Sequence, residues 1–469
     1  MEKASKLNVK ITSPTIVVIT FFCLYTITRL YVLFRHGPFV EPDSGGYRSN
    51  PHGFGFTQDL AKVSLIGNSF RPFPVNIFYA ISPNDSVRLV LQVLLAASAW
   101  SYFIWNMKSS GRKIWLAVFF AGLFALNPGM IYRDLVLLPD SFSLSLFIFI
   151  FTLCATEKWR SKSQKIVLLS LLLLLVIQRP TLWISFFLFS LLLGLIAIRA
   201  RDSVNKWKFA TGLLILAVIG FSYNQIQSVY GWPKYFNTSY PVTKNAFPIG
   251  LLIWKDNSLN EEWEKNLFKA NYPKCGEISN SDSGPWEYSV RAFGECKDAS
   301  NWLTKNFNTF FLKTLFRDPG LIFKQIQIEF PHTFIPTPDA YAFDSVSKMH
   351  LIPHLPRFEY FGFPQFRGLN YILSNNPLFF WVPLCAAIIL RQRKHFRRTL
   401  GTLKTTLLIS FVFALSIMVD NILMPSDNFR HNLPLNIGIL FMTYWYVSGF
   451  VSNRAKKQRN GRDSNDEIK

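Results

Sequence analysis

The sequence predicts an all-α, polytopic membrane protein of about ten transmembrane helices with one large extracytoplasmic domain. Three observations predict it. Apolar residues gather in blocks of roughly 18–22 with almost no charge inside, long enough to cross ~30 Å of hydrocarbon. The basic residues lie mainly in alternate connecting segments, the bias that orients helices in a bilayer. Finally, residues 226–376 interrupt the blocks with a stretch long enough for a small domain of its own.

Taken in order, the blocks are 14–34, 86–107, 114–126, 141–155, 166–177, 181–198, 209–225, 377–390, 403–422 and 433–450. The first is too long for the apolar core of a signal peptide and lacks a small-residue cleavage site, so it reads as a first membrane helix. The connections alternate. Lys3, Lys6 and Lys10, then 108–113, 158–165, 199–208, 391–404 and 454–469 are basic, while the segments between them are longer or nearly free of Lys and Arg. The positive-inside rule therefore places every second connection, and both termini, in the cytoplasm. It also divides 166–198, which has basic flanks on both sides, into two crossings around Gln178-Arg179-Pro180. Block 166–177 spans only ~18 Å at 1.5 Å per residue, which recesses Arg179 below the outer surface.

This gives an N-terminal transmembrane module (1–225), an extracytoplasmic domain (226–376), a C-terminal transmembrane module (377–452) and a basic tail (453–469). Inside the outer domain, 259–270 reads as a polar helix. Residues 301–330 read as an amphipathic stretch of the kind that lies in a membrane interface. The formal charge of +22 invites a nucleic-acid reading, but its placement in short loops between apolar blocks argues for orientation instead. Of the five cysteines, Cys23, Cys154 and Cys385 fall in membrane blocks and read as packing residues. Cys275 and Cys296 fall in the outer domain, where an oxidising compartment favours a disulfide between them.

The outer face collects the residues able to do chemistry. Asp43, in Glu41-Pro42-Asp43-Ser44-Gly45-Gly46-Tyr47, follows the first block and suits a general base at the membrane surface. Asp-Ser-Gly-Gly is equally ordinary turn chemistry. Asp140 opens the fourth block, where it serves as a helix N-cap or as a functional acid. Arg71, Arg133, Arg179 and Arg430 lie on the same face against the positive-inside trend, with His431 beside the last. Such arginines fit an anionic ligand such as a phosphate, or else pair with local acids, among them Asp43, Asp134 and Asp427. His332, His350, His354 and His431 lack zinc-type spacing. There is no Gly-rich phosphate loop followed by Lys-Ser/Thr and no nucleophile elbow.

The arrangement resembles the GT-C superfamily of membrane glycosyltransferases, in the branch related to protein O-mannosyltransferases and the lipid A aminoarabinose transferase. The residues that carry the resemblance are Asp43 with Tyr47 after the first helix, and Arg71-Pro72-Phe73-Pro74 leading to Ser86-Val87-Arg88-Leu89 and Gln92. Further on come Asp140-Ser141, Arg179-Pro180, and Arg430 before Pro434. Arg317-Asp318-Pro319-Gly320 with the apolar stretch after it is similar to the family's interfacial helix. The order of these short motifs spans the chain and is densest in its first 200 residues. Asp43 is followed by Ser-Gly-Gly rather than by the second acid of the O-mannosyltransferases, which leaves donor sugar and acceptor open.

The resemblance implies inverting transfer of a sugar from a polyprenyl-phosphate donor to a glycan, lipid or protein acceptor at the bilayer's outer face. Asp43 would be the base. Tyr47, Arg71, Arg179, Arg430 and His431 would bind substrate, and Asp140 would orient the acceptor or hold a divalent cation. Two other classes stay open. A transporter or lipid flippase would normally show internal repeats and charges at mid-bilayer. A non-catalytic assembly partner would use the outer domain for binding.

Overall fold

In the computed structural model, the described residues are 13–38, 84–109, 114–125, 128–137, 140–156, 161–179, 182–199, 204–236, 258–273, 296–334, 377–392 and 438–449, with a few single positions between them. All the extended elements among them are helices. The first is α1 (Ser13–His36), whose faces divide cleanly. Tyr25, Arg29, Val32 and Leu33, at helical spacing, are buried, while Ile16, Ile19, Leu24 and Ile27 on the other side are exposed. Large exposed aliphatics on a helix this apolar are what a lipid-facing surface requires. The helix ends where Gly37 takes a φ of +74° and donates its N–H to the Leu33 carbonyl at 2.8 Å, a left-handed C-terminal cap.

Helix α2 (Asp85–Ser109) is capped by Asn84, whose side-chain oxygen accepts from Val87 N–H at 2.9 Å. Helix α3 (Ile114–Ala125) is apolar on all sides. A short helix, α4 (Pro128–Leu135), follows it where the sequence reading placed a loop, and its first residue is a proline, well suited to that position. Next come α5 (Asp140–Ala155), α6 (Lys162–Gln178, capped by Ser161) and α7 (Trp183–Arg199). Helix α8 (Val204–Phe236) runs beyond the expected block end at 225. Ser190 of α7 donates to the Ala210 carbonyl of α8 at 2.8 Å and ties that pair together.

Among the described residues, three helices are long and apolar enough to cross a membrane: Pro14–Arg35, Asp85–Met107 and Trp207–Ile226. Shorter apolar helices lie at Ile114–Leu123, Asp140–Cys154, Trp183–Ile198 and Trp381–Gln392. The chain is therefore membrane-associated. The main core joins α1, α2, α3 and α5 to two C-terminal helices, α12 (Pro377–Gln392) and α13 (438–449). Phe441 of α13 lies parallel to Trp100 at 6.2 Å and to Phe151 at 5.2 Å, with Phe103 edge-on at 4.7 Å. Block 403–422, except Leu403, lies outside the described residues.

Residues 258–334 hold α9 (Asn260–Lys269), α10 (Lys297–Arg317) and α11 (Pro319–Phe334) around a core of their own. Trp263 donates its indole N–H to Gln325 at 3.0 Å and Trp302 donates to the Ala270 carbonyl at 2.9 Å. The amphipathic stretch expected over 301–330 is two helices. Proline disfavours helical geometry at the residue before it, so the first helix stops at Asp318, whose carboxylate accepts from Leu321 N–H at 3.2 Å and starts the next. Trp302, Leu303 and Phe310 of the first helix are buried in this core, while Leu312, Leu315 and Phe316 are exposed. Cys296 is disulfide-bonded, while Cys23, Cys154 and Cys385 are free. Cys275, the expected partner, lies outside the described residues.

Candidate functional site

Five helices bring polar residues to one end of the bundle. The second half of α1 supplies Tyr25 and Arg29, the start of α2 supplies Arg88 and Gln92, and α3 ends there at Ala125. The start of α5 supplies Asp140 and Ser141, and the end of α6 supplies Gln178 and Arg179. Helix α4 fills the space between with Arg133 and Asp134. The residues form two adjoining clusters.

The first is closed. Asp134 accepts from Tyr25 Oη at 2.5 Å and Arg29 Nε at 3.1 Å on one oxygen, and from Ser141 Oγ at 2.6 Å on the other. Arg29 also donates to the Ala125 carbonyl and to Thr28 Oγ1, and its guanidinium lies 3.6 Å from the centre of the Tyr25 ring. Both members of the ion pair are fully buried. Gln92 completes the cluster by pointing its amide N–H₂ at the carbonyls of Arg133, Asp134 and Val136, 3.1–3.3 Å away. These include carbonyls at the end of α4 that the helix itself leaves without a donor. Every charge here is matched, so the cluster fastens α1, α2, α4 and α5 together.

The second gathers two arginines on one carboxylate. Asp140 pairs with Arg179 through one carboxylate oxygen and with Arg133 Nη1 at 3.9 Å through the other. Arg133 and Asp140 are buried, but the Arg179 side chain keeps 16% of its surface exposed. Two guanidiniums thus meet on one carboxylate, with Arg179 on the open side. Next to Arg179, Gln178 is only 2% exposed, and neither its amide nitrogen nor its amide oxygen finds a hydrogen-bond partner among the described residues. A buried amide left unbonded costs stability. Arg88, also fully buried, holds Asp85 at 2.9 Å on the rim. The arrangement suits an anion bound by Arg179, with Asp140 and Arg133 fixing the guanidinium plane. The Asp140 oxygens already face arginines, so a cation there would have to displace one. Among the described residues no group of three or more metal-ligating side chains converges.

Of the residues expected from the sequence, Asp140 and Arg179 come together here. Asp43, Tyr47, Arg71, Arg430 and His431 lie outside the described residues. Of the two alternatives for these arginines, pairing with a local acid is seen for Arg133 and Arg179, both on Asp140, while Asp134 pairs with Arg29. Arg29, Tyr25 and Gln92 were not singled out as site residues from the sequence. For Arg29 the signal was present: a lone guanidinium inside apolar block 14–34 is costly unless it has a buried partner. No protein-family model, curated protein or solved structure matches this chain.

Proposed function

We propose that the protein is a multi-pass integral membrane glycosyltransferase of GT-C type, a hexosyl- or pentosyltransferase with about ten crossings and both termini in the cytoplasm. It moves a sugar from a polyprenyl-phosphate donor to an acceptor hydroxyl at the extracytoplasmic face. The observation that carries the reading is the meeting of Arg133 and Arg179 on Asp140, at the end of the bundle that receives α1, the helix leading to Asp43. In the reaction the acceptor oxygen attacks the anomeric carbon and its proton passes to Asp43. The bond from that carbon to the phosphate oxygen breaks, and its electron pair leaves on the polyprenyl phosphate. The anomeric configuration inverts. Charge grows on the phosphate as the bond breaks, which is where guanidinium groups stabilise the transition state most.

Incubating the purified protein with a panel of radiolabelled polyprenyl-phosphate sugars tests the reading. The expected result is labelled product from one donor and release of its lipid phosphate. Asp43→Asn should abolish turnover while leaving expression and donor binding intact, because the amide keeps the shape but takes no proton. Arg179→Ala should weaken donor affinity by roughly tenfold or more, the equivalent of about 1.5–3 kcal/mol for a charge-assisted bond. Arg71→Ala should act in the same direction, and Asp140→Asn should fall between the two patterns. Normal turnover in Asp43→Asn would remove the base and the mechanism with it. The fully buried Arg29–Asp134 pair favours a second reading, a transporter or flippase, since ionised residues inside membrane bundles often line translocation paths. That reading predicts movement of intact donor across vesicles without product.

A further inference from the structure

The outward face of α10 changes character along its length. Asn301, Lys305 and Thr309 follow one another along one face, and they are exposed and polar. One and two turns further on, the same face carries Leu312, Leu315 and Phe316, spaced as one helical patch. Phe316 is 82% exposed and Leu312 59% exposed. Phe323, on the first turns of α11, is 60% exposed. The patch belongs to the exposed part of the amphipathic stretch 301–330, whose Trp302, Leu303 and Phe310 are buried. Lys313 and Arg317 flank it and are exposed, and Lys324 stands beside Phe323.

We infer that Leu312, Leu315, Phe316 and Phe323 insert into the interface of the bilayer that holds the chain's own membrane helices, with Lys313 and Arg317 against anionic phospholipid headgroups. Three features of the patch select this occupant. Large apolar side chains this exposed lose free energy in water, by roughly 25 cal/mol per Å² left uncovered. The flanking cations give the charge complementarity of an anionic lipid surface. The polar start of the same face means that α10 tilts, with its C-terminal end dipping toward the hydrocarbon and its N-terminal half in water. The inference requires only that the chain sits in a membrane, and it stands whether or not the protein transfers sugars.

Spin labels on the full-length protein in nanodiscs test it, with Cys23, Cys154 and Cys385 replaced by serine. Labels go at position 316 (Phe316→Cys) and, two turns back on the same face, at 309 (Thr309→Cys). In nanodiscs containing phosphatidylglycerol, the 316 label should be several-fold less accessible to a water-soluble nickel chelate than the 309 label, and more accessible to oxygen. In nanodiscs of phosphatidylcholine alone, or after Lys313→Glu with Arg317→Glu, the difference should shrink. Equal nickel accessibility at both positions in phosphatidylglycerol would overturn the inference. So would spin–spin broadening at 316 that reports a second copy of the chain, and so would indifference to lipid charge and to the reversal variant.

Discussion

At the scale of single residues, the fully buried Arg29 guanidinium sets the sharpest condition. A buried ion pair contributes little when intact, but breaking it strands a charge away from water, at about 3–5 kcal/mol. Asp134→Leu should therefore destabilise the protein by about that amount, and Tyr25→Phe, which removes one of three donors to Asp134, by about 1 kcal/mol. The double variant Arg29→Met with Asp134→Leu should recover much of the loss of the single one. Thermal unfolding in detergent, followed by tryptophan fluorescence, reads all three. A double variant as unstable as Asp134→Leu alone would mean that packing, not stranded charge, sets the cost. Half of this pair was legible in the sequence. Arg29 announces itself as a charge in an apolar block, but its partner is 105 positions away, and no local pattern carries that distance. Asp140 and Arg179 were legible as outer-face charges. Their meeting across 39 positions follows only once α5 and α6 pack together.

At the scale of elements, hydropathy found the helices but not always their surroundings. Blocks 86–107 and 141–155 match α2 and α5 to within two residues at each end, because apolar runs end where caps and charges begin. The stretch 301–330 shows where periodicity misleads. A 3.6-residue apolar stripe says that one side is covered, and is silent on whether lipid or protein covers it. In α10 protein covers Trp302, Leu303 and Phe310 but leaves Leu312 and Phe316 exposed, and the Asp318-Pro319 pair divides what looked continuous. The docking of α13 likewise depends on contacts far apart in sequence. Phe441 sits between Trp100 and Phe151 with both ring planes nearly parallel to its own, at 5° and 6°. Phe441→Ala should cost about 3–5 kcal/mol, and Phe441→Leu markedly less, since leucine keeps most of the buried volume. Limited proteolysis would show the loss as faster cleavage around α13. Equal rates for the wild type and Phe441→Ala would mean that this helix is held elsewhere.

At the scale of the whole molecule, the two clusters report helix direction. The helix α1 reaches them with its second half, α2 starts beside them, α3 ends beside them, α5 starts and α6 ends. Each of these helices runs opposite to the one before, which is the alternation that the basic loops demand of successive crossings. The connections after α2 and before α6 then share the end of the bundle remote from the clusters, and both are rich in Lys and Arg. A chain with this charge pattern should keep that end in the cytoplasm and turn the Asp140 cluster outward. Reporter fusions at Ser110, Lys162, Asn205 and His395 should give cytoplasmic signals, and fusions at Asn50 and Asn280 external ones. Ser110 and Lys162 test the helix directions, because they flank the helices whose ends meet. Asn280 tests the placement of the outer segment, where Cys296 is disulfide-bonded as an oxidising compartment would have it. A cytoplasmic signal at Asn280 would reverse the orientation and put the Asp140 cluster on the wrong side for a lipid-linked donor used outside the cell. It would also leave a disulfide in a reducing compartment, so that single fusion bears on both the topology and the reaction.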